Sequence, residues 1–454
     1  MKIVLSHAYF LSDDPKEREI MKPYVPLGIL GIAAYLEHHH VPCTVLDSTF
    51  SDRETWLADL KKNAPTLLGL YANLMTRPVL FELIQLIRSE PVLKNTQIIL
   101  GGPDTRYNAD LYLHNGADLL VVGEGETTFL ELAQHLKEHG QLPDTLAGTV
   151  VLKNGDIVFN AERPLIKQLD LLPLPAREKV NLQNYLSAWK THHGYSSVSV
   201  STMRGCPYTC KWCSRAVYGG TYRRRSPAAV VAELAYLQAT YQPDRYWFVD
   251  DVFTISHKWL EEFHEAVRQS NLKVAYEIIT RADRMNERVI QLLKESGCYR
   301  IWIGAESGAQ EIINAMDRRV DAVKVRQMII ATRKAGMEAG TFIMVGYPGE
   351  TRKHLSETID HLRESRPDFY TITTAYPIAG TPLFEEVKGT LEVNKPLVKA
   401  TDRDYNFKRT HSKRYYQYAI RWIHNAVGAA HSQGYKKIKY HIKSLLAQLI
   451  MFFV

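Results

Sequence analysis

The chain has 454 residues, 45% hydrophobic and 23% charged, a length that suits two or three globular domains. Five cysteines are too few and too clustered for a disulfide framework, and Met1 leads straight into Lys2-Ile3-Val4-Leu5 without an apolar signal segment, so a reduced cytoplasm is the expected setting. The net charge of +7 is a local feature: residues 403–454 hold ten lysines and arginines against one aspartate, which leaves −2 for everything before them and no basic groove for nucleic acid.

Residues 1–140 alternate short apolar runs with helical patterns, as a doubly wound parallel sheet requires. The pattern predicts strands at 2–6, 43–47, 66–71, 97–101 and 118–122, and helices at 27–39, 53–62, 78–89 and 126–138. Ligands in such sheets bind beyond the carboxyl ends of the strands. The loops there are 71–77, with Asn73, Leu74 and Thr76, then Gly101-Gly102-Pro103 and Gly123-Glu124-Gly125-Glu126. A small hairpin turning at Asn154-Gly155 precedes the passage Leu171-Leu172-Pro173-Leu174-Pro175, which reads as a linker because proline continues neither a helix nor a central strand. His38-His39-His40 ends a helix, where consecutive histidines point apart, so it reads as a solvated terminus.

From 197 the strand–helix alternation resumes for about six units, a count that suits an open α/β barrel. Strands are expected at 197–202, 245–249, 273–279, 300–304, 340–345 and 369–374. The first is followed by Arg204-Gly205-Cys206-Pro207-Tyr208-Thr209-Cys210-Lys211-Trp212-Cys213, three of the five cysteines within eight residues. Thiolates at this C-x3-C-x2-C spacing can each take one iron of an iron–sulfur cube and leave a fourth iron open. A structural zinc knuckle is the alternative and needs a fourth ligand; His192 and His193 fit no finger spacing, and Cys43 and Cys298 are remote.

With an aromatic before its last cysteine, here Trp212, this loop resembles the signature of the radical S-adenosylmethionine (SAM) superfamily. The resemblance implies that Cys206, Cys210 and Cys213 hold a [4Fe–4S] cluster whose free iron chelates SAM, and that one electron cleaves SAM to methionine and a 5′-deoxyadenosyl radical. At successive strand ends, Asp250 and Asp251 suit either an acidic helix start or, as the resemblance implies, a contact to the SAM amino group; Arg281 suits either the SAM carboxylate or a salt bridge to Asp283 or Glu277; Glu306 suits the ribose hydroxyls, and the turn at Gly346 could frame the adenine.

The order of domains, Pro26-Leu27-Gly28-Ile29-Leu30-Gly31, the two glycine turns and the Leu-Pro-Leu-Pro linker resemble cobalamin-binding-domain radical SAM proteins over residues 1–380. The fold implied is α/β: a Rossmann-like cobalamin domain at 1–145, a hairpin and linker at 146–195, a partial (β/α)6 barrel at 196–390 and a basic helical region at 391–454. Cobalamin would lie against Asn73, Leu74 and Thr76, Gly101 to Pro103 and Gly123 to Glu126, where glycines let backbone approach a flat macrocycle. Domains that ligate cobalt through histidine carry Asp-x-His-x-x-Gly after the first strand. Here that stretch reads Ser6-His7-Ala8-Tyr9-Phe10-Leu11, so cobalamin is expected without a histidine ligand.

The resemblance implies an enzyme that methylates an unactivated carbon of a small molecule, with a flavodoxin or ferredoxin as electron donor. An oxidative cyclase like the anaerobic magnesium-protoporphyrin monomethyl ester cyclase is the runner-up, and a non-catalytic cobalamin or cluster sensor the alternative from another class. The tail, with Lys436, Lys437, Lys439 and Lys443 before an apolar end, reads either as a helix packed on the barrel or as a peripheral membrane contact. Its last ten residues are too few to span a bilayer, which takes about 20.

Overall fold

Each short apolar run is followed by a helix long enough to cross back over the sheet, and this makes the strands parallel. In the computed structural model, which describes residues 1–401 and 404–454, the first set comprises β1 (Ile3–His7), α1 (Pro15–Ile20), α2 (Leu27–His38), β2 (Thr44–Leu46), α3 (Arg53–Asn63), β3 (Leu67–Tyr71), α4 (Arg77–Ser89), β4 (Gln97–Gly101), α5 (Ala109–Leu113), β5 (Leu119–Val121) and α6 (Gly125–His139). Parallel strands run in the order β2-β1-β3-β4-β5, so the chain reverses direction across the sheet between β1 and β3. A crevice opens at such a switch point, beyond the strands' carboxyl ends. The predicted helices fall within one residue of those observed; α1 and α5 are too short to have announced themselves by periodicity.

The hairpin β6 (Thr149–Lys153) and β7 (Asp156–Phe159) turns through Asn154 and Gly155, both at positive φ, as the tight turn requires. It pairs antiparallel with β5 and so extends the first sheet to seven strands, although the sequence groups it with the segment 146–195. Thr149, Val150 and Val151 are buried, which is why it docks. The rest of the linker contains a real helix, α7 (Leu182–His193), whose Tyr185 and Trp189 tie back to Asp47 and to the Pro23 carbonyl.

The second sheet carries β8 (Ser197–Val200), β9 (Met203–Arg204), β10 (Arg223–Arg224), α8 (Pro227–Tyr241), β11 (Arg245–Phe248), α9 (His257–Ser270), β12 (Tyr276–Thr280), α10 (Glu287–Glu295), β13 (Cys298–Glu306), α11 (Gln310–Ala315), α12 (Ala322–Lys334), β14 (Glu338–Val345), α13 (Arg352–Ser365) and β15 (Phe369–Thr374). Six of these strands pair in parallel as β8-β11-β12-β13-β14-β15, while β9 and β10 form a separate small ladder. The two outer strands do not pair, so the barrel stays open. Phe248, Phe253, Trp259, Phe263 and Tyr276 pack the outer face against α9, with the Trp259 and Phe263 rings stacked at 5.1 Å. β8 ends two residues before expectation because the Thr202 amide bonds to Asp250 instead of a neighbouring strand.

Beyond β15 come α14 (Pro382–Val387), β16 (Leu391–Val393), β17 (Tyr405–Phe407), α15 (Lys413–Ala430) and α16 (Gly434–Phe453). The region expected to be helical from 391 therefore begins with an antiparallel pair, and its Asp402 and Arg403 lie outside the described residues. Phe407 is buried with Met344, Tyr347, Ala375 and Leu383 over the ends of β14 and β15. Tyr405 accepts a 2.8 Å hydrogen bond from Arg77, so this hairpin also reaches the first sheet.

Candidate functional site

The cysteine loop leaves β9 through Gly205, whose φ is +85°; a side chain there would run into the carbonyls of Tyr218 and Thr221. The loop is pinned along its length. The Lys211 amide donates to the Met316 carbonyl at 3.0 Å, the Leu383 amide to the Lys211 carbonyl at 2.9 Å, and Thr209 bonds to Asp317. Cys206 is half-buried, Cys210 buried and Cys213 exposed, and burial raises the Cys206 thiol above its ordinary range. Two buried guanidiniums converge on Cys210: Arg281 Nη1 lies 3.6 Å and Arg318 Nη1 3.7 Å from its sulfur. Arg281 also stacks on Tyr208 and donates to Asp283 and the Arg318 carbonyl. Donors and positive charge around a ligand sulfur stabilise thiolate.

Among the described residues, no three His, Cys, Asp or Glu side chains converge on one metal-ion position. A closed zinc tetrahedron needs four ligands around a single ion. Ligands of a cube sit on separate irons, which suits three thiols spread along a loop.

A cavity of about 760 Å³ lies between the two sheets. Its floor is the switch-point crevice: His7 and Tyr9 after β1, Tyr71, Asn73, Met75 and Thr76 after β3, Gly101 to Pro103 after β4, and Gly123 to Glu126 after β5. Its roof comprises Gly205, Cys206, residues 214–219 and Asp251. Thus the loop of the second sheet and the strand ends of the first face one chamber.

The floor fits a broad, flat ligand. A methyl group added at Gly28 would meet no atom within 4 Å; at Gly101 it would meet only Val121, and at Gly123 only the Val217 carbonyl oxygen at 3.9 Å. Side chains at these positions would project into the chamber. Gly102, at φ +125°, lies so close to the Ala72 carbonyl that no side chain fits. Both His7 ring nitrogens are engaged, Nε2 with Asp47 at 3.0 Å and Nδ1 with Ser48 at 2.9 Å and the Tyr9 amide at 3.2 Å, so the imidazole has no free lone pair to offer. Asn73 turns its carbonyl onto the Thr76 amide and hydroxyl, and Leu74, half-buried, lies outside the lining.

Glu124 and Glu126 line the chamber, yet their carboxylates are committed across the domain seam. Glu124 accepts from Arg204 and Arg223, both at 2.7 Å, and from the Ile166 amide at 2.7 Å; Glu126 pairs with Arg204 at 2.5 Å. These ion pairs hold the cysteine loop over the crevice.

The strand-end residues of the second sheet divide into two kinds. Asp250 is buried and accepts from the amides of Thr202 and Met203, so it fixes the start of the loop. Asp251 is exposed to the chamber beside Cys206, and burial together with the neighbouring Asp250 raises its carboxyl. Glu306 sits at φ +65° after a bulge in β13, its carboxyl raised by burial and 3.6 Å from Arg318. Such strain in a non-glycine residue collects where function over-determines the backbone. Gly346 has both backbone groups taken, its amide by Glu350 and its carbonyl by Arg409. Trp212 packs against the buried cluster that includes Tyr347 and Phe407, with Arg318 over its ring at 5.8 Å. Arg204, Arg223 and Arg318 were not legible as site residues, because no spacing pattern marks them. Gly28 carried a signal, its place in the Pro-Leu-Gly-Ile-Leu-Gly run.

Comparison with known proteins agrees with both halves. Residues 200–362 match the radical SAM superfamily and residues 19–133 the B12 binding domain. An uncharacterized methyltransferase of Pyrococcus horikoshii is 28% identical over 368 residues, 79% of this chain and 78% of the relative. The anaerobic magnesium-protoporphyrin IX monomethyl ester cyclase of Cereibacter sphaeroides is 25% identical over 81% of this chain, which spans only 60% of that protein. Among solved structures, the radical SAM methyltransferase TsrM of Kitasatospora setae, with cobalamin and a [4Fe–4S] cluster bound, superposes with a TM-score of 0.74 over 99% of this chain and all of that one, at 16% identity, a likeness of fold.

Proposed function

Starting from a chain that is a radical SAM enzyme with a B12-binding domain, we propose that it methylates an unactivated carbon of a small-molecule substrate. Its cofactors are a [4Fe–4S] cluster, SAM and cobalamin. When bound, the cluster with SAM supplies a carbon-centred radical that removes a substrate hydrogen, and cobalamin supplies the methyl group. The observation that carries the reading is the single chamber, with the glycine floor on one side and Cys206 on the other.

In this reading Cys206, Cys210 and Cys213 hold the cluster, and Arg281 and Arg318 orient Cys210 by donating to its sulfur. Asp251, which lines the chamber, would accept from the amino group of SAM, while Asp250 holds the loop in place. Glu306 accepts from the ribose. The floor from Gly101 to Pro103 and the 71–77 loop would hold cobalamin, and His7, with both ring nitrogens engaged, would not be its ligand. Glu124 and Glu126 act through Arg204 and Arg223, which keep the two halves in register. A reduced flavodoxin or ferredoxin provides the electron.

The test is anaerobic reconstitution followed by incubation with methyl-labelled SAM and extracts of candidate substrates. Label should pass to a product, and Cys210→Ala should abolish both cluster absorbance and transfer. Deoxyadenosine released without any methylated product would overturn methylation. An oxidative cyclase is the second reading, favoured by the cyclase likeness across 81% of this chain; its product would lose hydrogen or gain oxygen instead of a methyl group. A sensor would not cleave SAM at all.

A further inference from the structure

The last helix presents two opposite faces, and only one is used by the fold. Ser444, Ala447 and Met451 of α16 are buried against α15, and the Tyr440 ring closes over Gly428. Arg352 bonds to Gln448, and the Ser412 hydroxyl donates to the Val454 carbonyl, so the helix is firmly seated. On the far side Tyr435, Ile438, Ile442, Leu445, Leu446, Leu449, Phe452 and Phe453 are each 52–78% exposed. At about 100° per residue these eight fall within an arc of roughly 120°, centred nearly opposite the buried trio. Monomeric proteins seldom leave so continuous an apolar stripe in water.

Charge decides what covers it. Lys436, Lys439 and Lys443 border the stripe on one edge, His441 borders the other, and Lys437 adds a further cation on the same turns. Residues 434–454 contain no Asp or Glu, and none of these lysines makes an ion pair among the described residues. No helix among the described residues is long and apolar enough to cross a membrane. We infer that α16 is an interfacial helix that lays its apolar stripe into the surface of an anionic lipid bilayer, with its lysines among the headgroups. A second copy of the same stripe would gather eight lysines without a single counter-charge, whereas anionic headgroups neutralise all of them.

The inference goes beyond the catalytic reading and needs no cofactor, so its test is independent. The full chain is floated with vesicles of phosphatidylcholine, alone or with about 30 mol % phosphatidylglycerol. It should rise with the anionic vesicles and be released by high salt. Leu445→Ser/Leu449→Ser/Phe452→Ser should weaken binding at least about ten-fold with an unchanged melting curve, since these side chains touch solvent. Each lysine changed to glutamine should weaken it about five-fold. A chain that stays unbound with anionic vesicles would overturn the inference. So would a concentration-dependent dimer that the triple serine variant dissolves and that excludes vesicles.

Discussion

Removing the carboxylate of Glu124 tests whether the seam between the two halves is held by charge. Its side chain is only 4% exposed and accepts three hydrogen bonds at 2.7 Å, from Arg204, Arg223 and the Ile166 amide. In Glu124→Ala, Arg204 keeps Glu126, and Arg223 keeps the Ile166 and Tyr218 carbonyls but loses its only anionic partner among the described residues. Breaking a buried pair leaves an uncompensated charge, about 3–5 kcal/mol, and those surviving partners place this variant near the lower end. The orphaned Ile166 amide adds about 1 kcal/mol, because the adjoining chamber admits water. A total of about 3–4 kcal/mol is therefore expected from urea unfolding of the cofactor-free chain, read from the midpoint at constant slope. Glu124→Gln, which keeps an acceptor but no charge, should lose less than the alanine variant. Adding Arg223→Met to Glu124→Ala should recover part of the loss, since the stranded cation is then gone. An alanine variant within about 1 kcal/mol of the parent would refute the argument and mean that the seam is held by packing.

Arg318→Gln removes one of two cations on the Cys210 sulfur, so the reconstituted cluster should become harder to reduce. Potentiometric electron paramagnetic resonance should find its midpoint lowered by tens of millivolts (about 59 mV for a tenfold change), with Arg318→Lys between the two. Gly28→Leu projects into open space, so the empty protein should be as stable or up to about 1 kcal/mol more stable, through helix propensity. Cobalamin retained after gel filtration should fall at least about ten-fold while iron content holds. Glu350 is buried with one oxygen unpartnered, and its carboxyl is pushed up to about 8 from 4.5 by burial. Its folded form thus holds the proton more tightly than the unfolded one, and stability should decline as pH rises from 4.5 toward 8, by at most about 1.4 kcal/mol per unit. Glu350→Gln should flatten that slope and gain up to about 3 kcal/mol at pH 7; equal slopes for both proteins would refute it.

The cysteine loop and the order of parts are legible in the chain without coordinates. The cysteine spacing is a property of one short loop, and strand–helix alternation is local periodicity, so both survive without coordinates. The strands at 97–101 and 369–374 match to the residue. Which polar residues face the chamber depends on how the chain packs. Asp250 and Asp251 are adjacent in sequence and look alike, but the turn that follows β11 sends one into backbone amides and the other into the lining of the chamber with Cys206. Glu124 and Glu126 looked like ligand-binding residues until Arg204 and Arg223, some 80 to 100 positions away, were seen to occupy them. The same holds for the tail: its basic and apolar residues were legible, but packing on α15 selects which stripe is buried and which is left to water. Spacing along a chain specifies what one loop can hold, whereas burial and charge pairing are set by residues that meet only when the two sheets close on each other.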